Sequence, residues 1–298
     1  MIRYIIFTTL VFLVMASTGS TQNYLNQPEG VDDYIVVTRG EDQVVEDTIR
    51  FLEDGYGMVF AHFSGLDRTG HDYGWMSDPY MAVVAEVDER VGRILDALDE
   101  MKLASNTLVV FTSDNGQMPG SSVADPLRDA KGYLYEGGIR VPMMIRWPGH
   151  IRAGAVDATP TISMDFAPTF LEAAGVKYGA NEFDGQSLMP VASGKGALQR
   201  DALYWHYPHY CYHGMNDMGS VIRYGDYKYI HHYDNHDHEL FDLKTDIGET
   251  INLYRTEPAR AAELKAKLMA WLKSTEAQLP RLYADIPAAE LPGRKREN

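Results

Sequence analysis

Three apolar runs bordered by polar residues of unusual chemistry constrain this chain more than any other feature. "GMVFAHFSG" (57–65) leads into "LDRTGHDYG", "TLVVFT" (107–112) leads into "SDNG", and "RVPMMIRWPG" (140–149) follows "AKGYLYEGG". Strands that are nearly continuously apolar belong to sheets covered on both faces, the arrangement of α/β folds. Between the first two runs, Val84, Val87, Val91, Ile94 and Leu98 recur at helical spacing, with Asp78 placed to cap the helix and Pro79 suited to its first turn. Strand, helix, strand in that order predicts parallel neighbours joined by a right-handed crossover. Ligands of such sheets bind beyond the carboxyl ends of the strands, so the two polar clusters are expected on one rim.

The charge balance excludes one class of partner. With 42 acidic against 27 basic residues and a formal charge of −15, the chain lacks the clustered Lys and Arg that drive nucleic-acid binding. A hydrophobic fraction of 45% supports a packed core. One cysteine, Cys211, forms no internal disulfide, so stability must come from packing or metal.

The opening "MIRYIIFTTLVFLVMASTGSTQ" has Arg3, an apolar run over 4–16 and small residues over 17–20. That order is the pattern of a cleaved secretory signal. The run is shorter than the ~20 residues needed to cross a bilayer. The expectation is an exported protein, periplasmic or secreted, with no stable membrane span once residues 1–20 are removed. Residues 21–195 then read as an α/β domain. Residues 196–298 read as a small C-terminal α+β subdomain: "SVIRYGDYKYIHHY" alternates like an antiparallel hairpin, and "EPARAAELKAKLMAWLKSTEAQL" places Leu264, Leu268 and Leu272 on one helical face. The tail "GRKREN" reads as solvated.

Asp114 and Asn115 carry hard oxygen donors of the kind calcium and magnesium prefer, and both are poor strand formers. A turn or helix cap is the alternative for this pair taken alone. Asp67 and His71 stand one loop turn apart, with Gly70 and Gly74 allowing a tight approach. They could bind a metal, or His71 could serve as a general acid. A structural Asp with a surface His is the competing reading, and His62 could equally be a satisfied buried histidine. Lys131, ahead of Gly137 and Gly138, could set one ammonium over an anionic oxygen; taken singly it reads as solvated surface.

Taken together, "YMAVVAEVDERVGRILDALDEMKLASNTLVVFTSDNG", "KGYLYEGGIRVPMMIRWPG", "DFAPTFLEAAGV", "FDGQSLMP" and "ELFDLKTDIGETINL" resemble, in order and spacing, the second half of the sulfatases. The resemblance implies an alkaline-phosphatase-like, mainly parallel sheet flanked by helices and truncated at its N-terminal part. It implies hydrolysis of a sulfate ester, either a sulfated carbohydrate or an aryl sulfate, with a divalent metal: calcium first, magnesium, manganese or zinc otherwise. Asp114 and Asn115 correspond to the metal-ligating pair and Lys131 to the lysine that contacts sulfate. His71, ahead of His62, takes the place of the histidine that holds sulfate or protonates the leaving alcohol. "LDRTGHDYGWMS" looks more like the metal loop of related phosphodiesterases, which makes Asp67 a candidate second ligand and a metal-dependent phosphodiesterase the alternative activity. A third reading is a non-catalytic glycan binder, with "YWHYPHYCYHG" lining the site.

The family's formylglycine precursor, a Cys or Ser followed by Pro-Ser-Arg, is not in this sequence; Cys211 lacks the proline and arginine, and the adjacent Asp32 and Asp33 precede an apolar run instead of ending one. Sheet edges left bare by the missing early strands predict pairing with another chain, such as a homo-oligomer.

Overall fold

The computed structural model describes residues 9–15, 40–118, 125–209, 218–233 and 237–280. In chain order its elements are β1 (Thr9–Met15), α1 (Asp42–Glu53), β2 (Met58–Phe63), α2 (Gly65–Tyr73), α3 (Asp78–Glu100), β3 (Thr107–Ser113), α4 (Glu136–Ile139), β4 (Met143–Arg146), α5 (Phe166–Ala173), α6 (Met189–Ala192), β5 (Ala202–Tyr207), β6 (Gly219–Tyr224), β7 (Tyr227–His232), β8 (Glu239–Asp242) and α7 (Pro258–Ser274). Cys211, Asp32, Asp33, most of the aromatic 204–214 stretch beyond His209 and the tail lie outside the described residues.

The chain divides into two units, one of residues 1–115 with 141–199 and one of residues 116–140 with 200–298. The sequence reading places its join between 195 and 196 and keeps 116–140 in the first part. The polar loop that carries Lys131 instead groups with the C-terminal sheet.

In the first unit the strand order is β2-β1-β3-β4, with β1 parallel to both β2 and β3 and β4 antiparallel to β3. β2 and β3 are parallel as expected, yet they are not neighbours. The strand between them is the apolar run read from sequence as an export signal: Thr9–Met15 pairs residue by residue with Met58–Phe63 on one side and Thr107–Ser113 on the other. A short apolar run with no charge suits both a leader and a buried parallel strand, so composition alone could not separate them. Cleavage after residue 20 would remove the strand that joins β2 to β3.

One face of this sheet, through Val59, Ala61, Phe63 and Val109, packs on Val45 and Leu52 of α1 and on Ile94 and Leu98 of α3. The other face, through Leu108 and Val110, packs on Trp147 and on Phe170 of α5. The residue that caps α3 is Ser77, not Asp78: its Oγ accepts from the Tyr80 backbone N–H at 3.3 Å, and proline occupies the first turn. Among the described strands β2 forms an edge, where Met58 and Phe60 are half exposed.

The second unit is built on the antiparallel sheet β5-β6-β7-β8. The β6–β7 hairpin is the one the alternation predicts. One sheet face, through Ile222, Tyr229 and Leu240, receives Leu264, Leu268 and Leu272 of α7, each worth roughly 1.5–3 kcal/mol when fully buried. The opposite face, through Val221, Ile230 and Phe241, is covered by Tyr135 from the 116–140 segment.

On β7 the His231 ring lies 4.2 Å from that of His238, and the Tyr229 hydroxyl is 3.3 Å from His231 Nδ1. Burial, and then the positive neighbours His238, Lys265 and His232, push the His231 pKa down to about 4 from 6.5. Between these two values the unfolded chain binds more protons than the folded one, so stability falls as pH is lowered from about 6.5 to about 4. Urea midpoints measured across that window should drop for the native protein and drop less for His231→Gln. An equal slope in both would remove His231 as the cause.

Candidate functional site

Because β1, β2 and β3 run parallel, their carboxyl ends share one edge of the first sheet, with Met15 opposite Phe63 on one side and Ser113 on the other. β3 is buried for most of its length and then meets Asp114 and Asn115, which lift the chain off the sheet. Asn115 Nδ2 donates to Asp114 Oδ2 at 2.7 Å, and Ser113 Oγ donates to the Asn115 carbonyl at 3.2 Å. The Asp114 carboxylate stands exposed at the rim.

His62, near the end of β2, faces the same region. Burial holds its imidazole below the ordinary histidine pKa, while the carboxylates of Asp114 and Glu41 pull the other way. Its Nε2 is buried with no hydrogen-bond partner among the described residues. Glu41 accepts from the Gly65 N–H and pairs with Arg90 at 3.4 Å, tying the turn after β2 to α1 and α3. Sequence reasoning missed Glu41, which sits just ahead of α1, a helix the sequence reading did not single out.

The "LDRTGHDYG" stretch is a helix, α2, and not the loop the glycines suggest. Four residues make one helical turn, so Asp67 and His71 fall on one face, His71 Nε2 3.5 Å from Asp67 Oδ1. Asp67 is buried, whereas the His71 side chain is about half exposed. His62 is thus the histidine that responds to Asp114, and His71 is the one paired with Asp67.

Lys131 belongs to the second unit. Its backbone N–H donates to the Gln117 carbonyl at 2.7 Å, and Gly116 N–H donates to the Gly138 carbonyl at 3.0 Å, folding 116–140 back on itself. The backbone segments of this fold-back come too close for side chains: a Cβ on Gly116 would lie 1.9 Å from the Gly137 oxygen, and one on Gly137 2.2 Å from the Asp129 oxygen. The loop is anchored by buried charge. Lys228 Nζ lies 3.2 Å from Glu136 Oε1 and 2.8 Å from Glu249 Oε1, and the Glu136 N–H donates to Glu249 Oε2 at 2.6 Å. Burial pushes the Glu249 carboxyl up, against the pull of Lys228. A second anchor joins Arg128 to Glu239 at 3.2 Å, with the Arg128 guanidinium 3.8 Å from the Tyr135 ring centroid.

The donors suit a hard cation in kind. Asp114 and Asn115 offer oxygen, which calcium and magnesium prefer, and the Asp67 and His71 pair offers one oxygen and one nitrogen. In number they fall short: no group of three or more His, Cys, Asp or Glu able to hold a metal occurs among the described residues. No helix among the described residues is long and apolar enough to cross a membrane.

Comparison with known proteins decides the family. The sulfatase family model matches residues 16–176, and that of the C-terminal part of N-sulphoglucosamine sulphohydrolase matches residues 129–278. The chain belongs to the sulfatase family. A sulfatase of Formosa agariphila is 37% identical over 217 residues, covering 65% of this chain and 39% of that protein. An N-acetylglucosamine-6-O-sulfatase of Bacteroides thetaiotaomicron is 36% identical over 203 residues, covering 67% of this chain and 35% of the relative. Human arylsulfatase A is 31% identical over 225 residues, covering 65% and 42%. The chain therefore spans less than half the length of these curated sulfatases. The solved structure of Ps i-CgsB with k-i-k-neocarrahexaose superposes with a TM-score of 0.71 at 20% identity, over 92% of this chain and 73% of that one. The BT4656 structure with D-glucosamine-2-N,6-O-disulfate gives 0.65 at 21% identity, over 91% and 79%. These two establish the alkaline-phosphatase-like fold.

Several sulfatase-like motifs now have a structural reason. Buried Asp165 in "DFAPTFLEAAGV" accepts from the N–H groups of Ile162 and Gln186, each at 2.9 Å, stitching that motif to "FDGQSLMP". Gly185 passes so close that a Cβ would lie 2.0 Å from the Met164 oxygen. In "ELFDLKTDIGETINL", Asn252 Oδ1 accepts from Leu240 N–H at 3.1 Å and Tyr254 N–H at 2.9 Å. The sulfatase family uses a divalent metal and acts on sulfate esters.

Proposed function

We propose that this chain is the later portion of a metal-dependent sulfuric ester hydrolase acting on a sulfated carbohydrate. The observation that carries the reading is the exposed Asp114 carboxylate at the end of β3, bonded to Asn115 and facing the half-buried His62. Calcium is the ion such oxygen donors suit best, and when bound it would neutralise the negative oxygens of the ester. Asp114 and Asn115 would hold it, with Asp67 as a further ligand. Lys131, carried by the loop that Glu136 and Lys228 anchor, would offer its ammonium to the sulfate. His71 is the exposed proton donor for the leaving alcohol, and His62 is the alternative that lies nearer Asp114 in electrostatic terms. The relatives that match include enzymes named N-acetylglucosamine-6-O-sulfatase and arylsulfatase A, so a sugar ester and an aryl ester are both represented among them.

No formylglycine precursor is present, so the nucleophile is not among these residues and no covalent step is assigned to them. Export to the periplasm or exterior is part of the proposal only with a leader other than Thr9–Met15, since that segment pairs in the sheet. A homo-oligomer through the β2 edge fits the half-exposed Met58 and Phe60. The Asp67 and His71 pair motivates a phosphodiesterase as second reading, which the sulfatase membership places behind the first.

Hydrolysis of a chromogenic aryl sulfate, measured with added calcium and again with a chelator, tests the proposal. Because the nucleophile is not among these residues, turnover by this chain alone is expected to be weak or absent; turnover that the chelator removes supports the enzymatic claim, and equal background rates in both remove it. A matched phosphodiester tested beside it should be cleaved more slowly.

A further inference from the structure

Next to Asp67 and His71 the chain builds a row of rings that neither the metal donors nor Lys131 explains. Trp75 lies edge-to-face between two others, its ring centroid 5.5 Å from His71 and 5.6 Å from Tyr80. The indole is seated by a missing side chain: a Cβ on Gly70 would lie 2.3–2.5 Å from the Cζ3, Cε3 and Cη2 atoms of Trp75. The turn that delivers it is fixed by Gly74 at φ +90° and Met76 at φ +63°, and by Ser77 Oγ donating to the Gly74 carbonyl at 2.7 Å. A left-handed methionine is a costly conformation, held here by its surroundings. The ring is therefore placed before any ligand arrives.

Around this half-buried indole the surface is apolar but wet. Tyr73 is 67% exposed and Met76 46%. On the same short helix Arg68, His71 and Asp72 are exposed, and their spacing of three and four places them on one face. A flat aromatic surface beside a guanidinium, an imidazole and a carboxylate matches a ring with an apolar C–H face, hydroxyls at its rim and an anionic substituent. That is the description of a sulfated pyranose; an aryl group would leave the polar rim unpaired.

We propose that Trp75, flanked by His71 and Tyr80, is a stacking subsite for the sugar ring of a sulfated carbohydrate, with Arg68 and Asp72 meeting its polar groups. The inference rests on the sulfate-ester reading of the adjoining rim and assigns that rim's substrate class to particular residues.

The test is calorimetric titration of the full chain with a 6-sulfated N-acetylglucosamine oligomer, its unsulfated counterpart and 4-nitrophenyl sulfate. Trp75→Ala should weaken binding of the sulfated oligomer by about tenfold or more, and Trp75→Phe by less than about threefold. Gly70→Ala is the sharper variant. It drives the indole from its seat, and the better helix propensity of alanine in α2 offsets part of the packing cost. It should weaken the oligomer as Trp75→Ala does, while affinity for 4-nitrophenyl sulfate changes by less than about twofold in every variant. Oligomer binding that is absent, or equal in all four proteins, overturns the subsite. Trp75-dependent binding without any ester turnover keeps the subsite and sinks the hydrolase reading; turnover with indifferent Trp75 and Gly70 variants does the reverse.

Discussion

Asp114→Ala is expected to abolish calcium binding within the measurable range, a loss of more than about 100-fold, and with it any calcium-dependent hydrolysis. The basis is the donor count. Calcium takes six to eight oxygens, and Asp114 supplies the one carboxylate exposed at the end of β3, oriented by the 2.7 Å bond from Asn115. Removing even a group that supports a metal ligand costs ~10–100-fold, so losing the ligand itself should cost more. Asn115→Ala should be milder, because it removes a neutral donor and the orienting amide together while the charge stays. The exposed carboxylate sits outside the packed core, so unfolding midpoints should hardly move. Lanthanide luminescence titration reads the affinity directly, and unchanged affinity in Asp114→Ala would place the cation elsewhere.

Lys228→Met should destabilise the second unit by about 3–5 kcal/mol, the largest stability effect expected of a single substitution here. Lys228 is fully buried, and its ammonium lies between Glu136 and Glu249, both also buried. Deleting it leaves Glu249 in the interior without the ammonium and Glu136 with only its longer contacts to Arg140 and Arg223, at 3.7 and 3.8 Å. The geometry of the two carboxylates is tied to the backbone as well, through the Glu136 N–H and Glu249 contact at 2.6 Å. The double variant Lys228→Met, Glu249→Gln should recover part of the loss, since it removes one stranded charge. Urea unfolding of both proteins measures this. A cost below about 1 kcal/mol for the single variant would mean that water reaches the site and that the network does not anchor the 116–140 loop.

What could be read from the sequence divides along physical lines. The α3 periodicity, the β6–β7 alternation and the leucine face of α7 were legible because one face of each is buried and the period shows it. β3 and its abrupt end at Asp114 and Asn115 were legible for the same reason. The Thr9–Met15 strand was not, because a buried parallel strand and the core of a leader share a composition and only pairing with β2 and β3 tells them apart. α2 was misread as a loop, since Gly70 and Gly74 look like turn residues. Gly70 is there to seat an indole five residues away, a cause that no local pattern reveals. Lys131 was singled out from its glycines, but the charges that anchor its loop come from Lys228 and Glu249, about a hundred residues downstream. Glu41 and the placement of His62 beside Asp114 likewise depend on tertiary contacts.

The central question is whether Asp114 and His62, both at the carboxyl edge of the first sheet, act on the same sulfate. A double-mutant cycle on the affinity for a 6-sulfated N-acetylglucosamine oligomer in calcium, comparing the native chain with Asp114→Ala, His62→Ala and the double variant, measures this. A coupling above about 0.5 kcal/mol between the two positions is expected; effects that add within about 0.3 kcal/mol would show independent sites and contradict a shared one.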